Sequence, residues 1–215
     1  TAMDKACPKS IKNSCVCPAD NIGYIYLSTF GEKYLLDEFA GVINYLKTTK
    51  GLIIDLRNNQ GGDLINVKAV VSRFIAEPFE WPNIYYLGER YETDPIQPQG
   101  TFTYTNTVVV LINGLSISST EVASEVFKQL QNVTVIGDTT AGAAGSSSGR
   151  SEATDKKYKL PSGKMVYIPT GCILQYDGEH IEWNGVSPDI LVEQTENDII
   201  NGTDKQLEFA INMLK

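Results

Sequence analysis

Three short apolar runs constrain this chain most: "GLIIDL" (Gly51–Leu56), "TVVVLIN" (Thr107–Asn113) and "VTVIG" (Val133–Gly137). The first two read as strands buried on both faces, the mark of a parallel sheet covered by helices, and Val133–Gly137 reads as a further strand. Helical spacing fills the gaps between them. Lys33–Thr49 carries Leu35, Phe39, Val42, Ile43 and Leu46 on one face, and Asp63–Glu77 turns Leu64, Val67, Val71, Phe74 and Ile75 inward. A further helix runs from about Ser119 to Gln131. "IGYIYLSTF" (Ile22–Phe30) alternates, is rich in aromatics, and reads as another strand. Strands alternating with helices predict an α/β domain with a mainly parallel central sheet.

The 215 residues suit one domain with a sizeable core. Residues 1–20 read as a linker or the remnant of an upstream segment, and 21–215 as the folded domain. Residues 78–100 hold four of the nine prolines and five aromatics, which predicts a long excursion with one short strand. Residues 138–151 read as a small-residue loop. Two or three strands are expected in Lys157–Glu182, with a turn at Pro161-Ser162-Gly163. A last helix is expected from a capping box at Thr203-Asp204-Lys205-Gln206, burying Leu207, Ala210, Ile211 and Leu214.

Net charge is -8 and no Lys/Arg cluster stands out, so nucleic acid is not an expected partner. No stretch approaches 18 consecutive apolar residues, so no membrane span is expected. Oligomeric state is not legible. The chain starts at Thr1 rather than Met, which predicts a trimmed or matured chain. Cys7, Cys15 and Cys17 crowd the N-terminus and Cys172 lies far away. A disulfide, free thiols and a metal are all open to them. With a single histidine, His180, a metal is not the expectation, and no cofactor is implied. A disulfide would place the chain in an extracytoplasmic compartment: cell envelope, periplasm or secreted.

Chemistry has three places to sit. In "LINGLSISSTEVASEVF", Ser118-Ser119-Thr120-Glu121 has the form of a capping box, and Ser118 can be simply a helix cap. The same position, between a strand's end and a helix N-terminus, also exposes a hydroxyl beside free backbone N–H groups. "DLRNNQGG" (Asp55–Gly62) is a second strand-to-helix turn, and its two glycines can be ordinary turn residues or can bring N–H groups close to a ligand. It lacks the spacing and lysine of a phosphate loop. The third place is "EHIEWNGVSPD" (Glu179–Asp189). On a strand, His180 and Glu182 would share a face, and either can equally be a solvated surface residue.

Taken in order, "GYI", "LIIDLRNNQGG", "VVVLINGLSISSTEVASE", "VIGDTTAG", "LPSG" and "WNGVSPDI" resemble the catalytic domain of the C-terminal processing peptidases, or tail-specific proteases, and their tricorn-protease relatives. The resemblance covers about Ile22 to Leu214. It implies a spiral of β-β-α units similar to ClpP and crotonase, and a serine endopeptidase acting on peptide or protein substrates. It puts the nucleophile on Ser118 and the oxyanion hole on the N–H groups of Ser119 and of Gly61 or Gly62. The processing peptidases draw their base from a lysine in "G-x-P-T-x-G-K". Here that stretch is Gly137–Ala143, and Ala143 holds the lysine's position. The tricorn branch looks like a Ser-His-Glu arrangement, whose glutamate matches Glu182 and whose histidine precedes the "GYI" strand. No PDZ-like module is evident, which favours that branch. The missing histidine leaves three expectations open. It lies upstream of Thr1, the domain is a non-catalytic binder of a peptide or apolar ligand, or His180 acts as base. A crotonase-type acyl-CoA enzyme, suggested by fold alone, is a further alternative.

Overall fold

The computed structural model describes residues 14–17, 20–33, 35–86, 88–91, 93–145, 156–169 and 171–215. The three apolar runs become β3 (Gly51–Asp55), β6 (Thr107–Ile112) and β7 (Val133–Gly137). With β1 (Ser14–Cys17), β2 (Ile22–Tyr26) and β11 (Ile190–Leu191) they form a six-stranded sheet of order β1-β2-β3-β6-β7-β11. All its pairings are parallel except β1 with β2. The mixed α/β architecture with a mainly parallel sheet is the one the strand–helix alternation predicts.

Side chains alternate across this sheet, which is why its strands are apolar without a break. Leu52, Ile54, Val108, Val110, Ile112, Val133 and Val135 pack on one face. That face is covered by α1 (Leu35–Leu46), α2 (Leu64–Val71) and α3 (Ser119–Lys128). Ile22, Ile53, Val109, Leu111 and Ile136 point the other way, under α5 (Lys205–Met213), which supplies Leu207 and Ala210. The strand-to-helix turns after β3 and β6 therefore emerge at one edge, from neighbouring strands.

Several boundaries differ from the sequence expectation. Ser14–Cys17 falls in the stretch read as linker, yet it pairs antiparallel as the edge strand β1. The second helix ends at Val71 and continues only as turns to Phe74, although Phe74 and Ile75 are buried as expected. The excursion at 78–100 gives two strands, β4 (Ile84–Tyr86) and β5 (Glu89–Tyr91), which join β10 (Gly171–Ile173) in an antiparallel sheet of order β10-β4-β5. β8 (Lys156–Lys159) and β9 (Met165–Ile168) make a separate hairpin. Of the loop expected at 138–151, residues 146–151 lie outside the described residues, as does Cys7. Cys172 is a free thiol.

The expected capping box at Thr203 is displaced. Asp204 is the N-cap of α5 and accepts from the Leu207 N–H at 3.0 Å. A full box sits earlier, on the short helix α4 (Glu196–Ile200), between Thr195 and Asp198. Asp198 Oδ1 also meets Lys205 Nζ at 2.8 Å, tying α4 to the start of α5. Hydrogen bonds from Lys205 first, then Thr195, hold its carboxyl down at about 2. A depressed carboxyl contributes stability above its ordinary value of 3.8, and the contribution is lost as pH falls toward 2. The unfolding midpoint should therefore drop across that window, and Asp198→Asn should flatten the drop. Thermal melts at stepped pH check this.

Candidate active site

After β6 the chain turns through Asn113–Ile117 into α3, with Ser118 at the N-cap. Ser118 has φ 59° and ψ -124°, a region that a side-chain-bearing residue rarely adopts. Serines that only cap take extended backbone, as two of the other caps here do: Asp63 at φ -85° and Thr195 at φ -82°. Ser118 and Glu121 form a capping box in which the Ser118 side chain faces the Glu121 N–H, but that N–H donates to the Ser118 carbonyl at 2.9 Å and no full side-chain cap bond is made. The return bond of the box is the Ser118 N–H donating to Glu121 Oε2 at 3.0 Å. A serine at positive φ on a sharp strand-to-helix turn has the geometry of a nucleophile elbow.

Glu121 does more than close a cap. It is fully buried. Its Oε1 accepts from Thr140 Oγ1 at 2.8 Å and the Gly142 N–H at 2.7 Å, and its Oε2 accepts from the Ala143 N–H at 3.0 Å as well as from Ser118. Burial pushes its carboxyl up, and these four hydrogen bonds oppose the shift in part. One carboxylate thus binds the serine turn to the 140–143 loop. Ala143, exposed at the lysine's position, shares an oxygen with the Ser118 N–H.

A buried asparagine fastens the glycine turn to the same place. Asn59 Oδ1 accepts from the Gly61 N–H at 2.8 Å and from Thr120 Oγ1 at 2.7 Å, Asn59 Nδ2 donates to the Leu27 carbonyl, and the Asn59 carbonyl accepts from the Ile117 N–H. Ser116 Oγ donates to the Leu56 carbonyl, and Asn58 and Asn113 exchange two bonds. The two crossovers, some sixty residues apart in sequence, meet at one rim.

Within that rim the two glycines differ. The N–H of Gly61 is taken by Asn59, so Gly61 is not an available donor, contrary to one of the two sequence options. Its contribution is space: a Cβ there would stand 2.8 Å from the Ile117 carbonyl oxygen and from Ser118 Cβ, and 3.0 Å from the Ser119 nitrogen. The Ser119 N–H opens the helix and has no intrahelical partner, and the bare Cα of Gly61 keeps a side chain from crowding it. Gly62 bridges Phe30 in a parallel pair through its neighbours' groups, the Gly61 carbonyl and the Asp63 N–H. That leaves the Gly62 N–H facing away from Phe30, without a partner among the described residues.

Glu182 lies in a turn, not on the strand that sequence alone suggested. Its Oε2 is buried with no hydrogen-bond partner among the described residues. The turn hangs on the 140–143 loop through the Trp183 N–H, which donates to the Gly142 carbonyl at 2.8 Å. From Ser118 through Glu121, Gly142 and Trp183, a continuous run of short bonds leads to Glu182. His180 stands exposed beside Leu174, and among the described residues its ring bonds neither Ser118 nor Glu182, so it is not assembled as a base. Asn59 and Thr140 escaped the sequence analysis. The asparagine stood in view in the "DLRNNQGG" stretch, but nothing local marks it as buried.

The chain is similar to known proteins. The model of peptidase family S41 matches residues 21–192. Tricorn protease of Thermoplasma acidophilum is 29% identical over 194 residues, covering 90% of this chain and 16% of that protein. Carboxy-terminal processing protease CtpA of Bacillus subtilis is 28% identical over 176 residues, 81% of this chain and 35% of that one. The chain therefore spans well under half the length of either relative. A solved structure from Parabacteroides merdae superposes with TM-score 0.80 at 28% identity, over 96% of this chain and 65% of that one. The photosystem II D1 C-terminal processing protease shares the fold at TM-score 0.64 and 21% identity, over 93% and 48%. Since the family model runs from the start of β2 through β11 and takes in both crossovers and the Glu182 turn, this chain belongs to peptidase family S41.

Proposed function

We propose that this domain is the catalytic part of a serine endopeptidase, with Ser118 as nucleophile. The observation that carries the reading is Ser118 itself: a serine held at positive φ at a helix N-terminus, beside a helix N–H on which a Cβ at Gly61 would press. Ser118 Oγ attacks the peptide carbonyl, and the N–H groups of Ser119 and Gly62 receive the developing oxyanion. A base takes the hydroxyl proton and returns it to the leaving amine, and water then releases the acyl group. Glu182, whose buried Oε2 has no partner among the described residues, would orient an imidazole as in the tricorn-like branch, from a histidine outside these residues. The substrate is a peptide or protein bound in extended form beside a sheet edge. A disulfide within the N-terminal cysteine cluster would place the domain in an extracytoplasmic compartment. Among the described residues no helix is long and apolar enough to cross a membrane.

A second reading has one observation in its favour: among the described residues no base touches Ser118, and Ala143 stands where a lysine would. On that reading the cleft binds peptide without cutting it. A serine-directed fluorophosphonate separates the two. Mass mapping should find the adduct on Ser118, formed faster when the histidine-bearing region is present. An adduct elsewhere, or hydrolysis that survives Ser118→Ala, removes the nucleophile assignment. No adduct under any condition favours the binder.

A further inference from the structure

Trp183 is 90% exposed, whereas the other tryptophan, Trp81, is 5% exposed and packs under Lys68. Trp183 also has φ 71°, a backbone region strained for a bulky residue and natural for glycine or asparagine. The turn that holds it closes through the Gly185 N–H onto the Ile181 carbonyl at 2.8 Å, a bond that needs no indole. Nothing in the local fold asks for a large apolar side chain here, and the backbone is strained to carry one. Such outliers gather at functional sites.

Its position narrows the role. Trp183 follows Glu182 directly and is bonded to Gly142, which Glu121 holds together with Ser118. A Cβ on Gly142 would lie 2.9 Å from the Trp183 carbonyl carbon, so loop and turn are pressed together and the residue is presented on a rigid support. Leu115, three residues before Ser118, is 55% exposed, and its loop is tied to the same 140–143 segment by the Ala141 N–H donating to the Ser116 carbonyl at 3.1 Å. Two uncovered apolar side chains therefore belong to the two segments that bracket the serine. We propose that Trp183 is a specificity-determining residue that receives a bulky apolar or aromatic side chain of the bound peptide. An indole offers a large contact area while losing only two side-chain torsions on binding. The inference rests on the reading of this rim as the peptide site, and commits to a peptide side chain as the occupant.

The test reads binding, so it does not depend on turnover. The whole protein carrying Ser118→Ala is titrated with two blocked hexapeptides, one of alanine alone and one with a single central Phe. The Phe peptide should blue-shift or quench the emission of the exposed tryptophan and bind about tenfold tighter than the alanine peptide. Adding Trp183→Gly, which relieves the strained φ and so leaves the fold intact, should abolish the spectral change and that preference, without weakening the alanine peptide. Equal affinity for the Phe peptide with and without Trp183 overturns the inference, as does failure of either peptide to bind. A concentration-dependent shift with no peptide present overturns it in favour of contact between copies. If the peptide effects hold while the phosphonate fails to label Ser118, the nucleophile assignment falls and the Trp183 contact stands.

Discussion

Gly61→Ala should lower peptide hydrolysis by roughly 100- to 1,000-fold, the loss expected when one oxyanion donor is removed. The added methyl would lie 3.0 Å from the Ser119 nitrogen, on the side that the open Cα leaves accessible, and 2.8 Å from the Ile117 carbonyl oxygen and Ser118 Cβ. Two of these three neighbours are backbone atoms and cannot turn aside, so either the donor is covered or the Ser118 turn is displaced. Residue 61 also has φ +85°, which costs an alanine about 1–2 kcal/mol. The variant should therefore be both slower and less stable, and the two effects separate by measurement. Thermal melts report the strain. The loss at the oxyanion should appear in kcat, with KM little changed, because the interaction removed is made in the transition state. A Gly61→Ala protein that keeps wild-type kcat would mean the Ser119 N–H is not a donor. Gly62→Ala is a poor substitute for this test, since its Cβ would fall 2.2 Å from the Gly31 nitrogen and disturb the pairing with Phe30 first.

Much of the frame was legible because one physical rule governs it. Strands β3, β6 and β7 are buried on both faces, so their apolar runs announce them whatever surrounds them. Elements that rest on fewer local interactions were not visible. β1 is a four-residue edge strand whose order comes from pairing with β2, and α4 is five residues held by Thr195, Asp198 and Lys205. The site divides the same way. Ser118, Gly62 and Glu182 are candidates only through the order of three motifs. Local sequence could not distinguish a capping serine from a reactive one, because the two differ in a backbone angle. Asn59 was missed since its partners, Leu27, Ile117 and Thr120, are dispersed along the chain. Which of Gly61 and Gly62 has a free N–H is hidden for a related reason: it depends on what else bonds to it, here Asn59 for Gly61.

Arg57, in the same turn as the glycines, illustrates how far such a partner can lie and carries the largest expected effect on stability. Its Nε and one terminal nitrogen fork onto Asp55 at 2.9 and 2.6 Å, and its two terminal nitrogens fork onto Asp204 at 2.8 and 2.9 Å. Asp55 also accepts from the Tyr24 hydroxyl at 2.9 Å. The end of β3 is thereby locked to the N-cap of α5, which covers the second face of the sheet. Arg57 and Asp55 are largely enclosed, with side-chain exposures of 14% and 4%. Removing one partner of a buried pair leaves the other charge uncompensated, at a cost of about 3–5 kcal/mol. Arg57→Ala should therefore lower the unfolding midpoint by on the order of 10 °C for a chain of this size. Arg57→Lys keeps the charge but cannot fork onto two carboxylates, so its loss should be intermediate. Double-mutant cycles against Asp204→Asn should show strong coupling, because the two residues share one network. If Arg57→Ala melts within a degree or two of wild type, the pair is not holding α5. In that event the arginine of the "DLRNNQGG" turn would have to be reconsidered as a residue that meets substrate rather than one that anchors the scaffold.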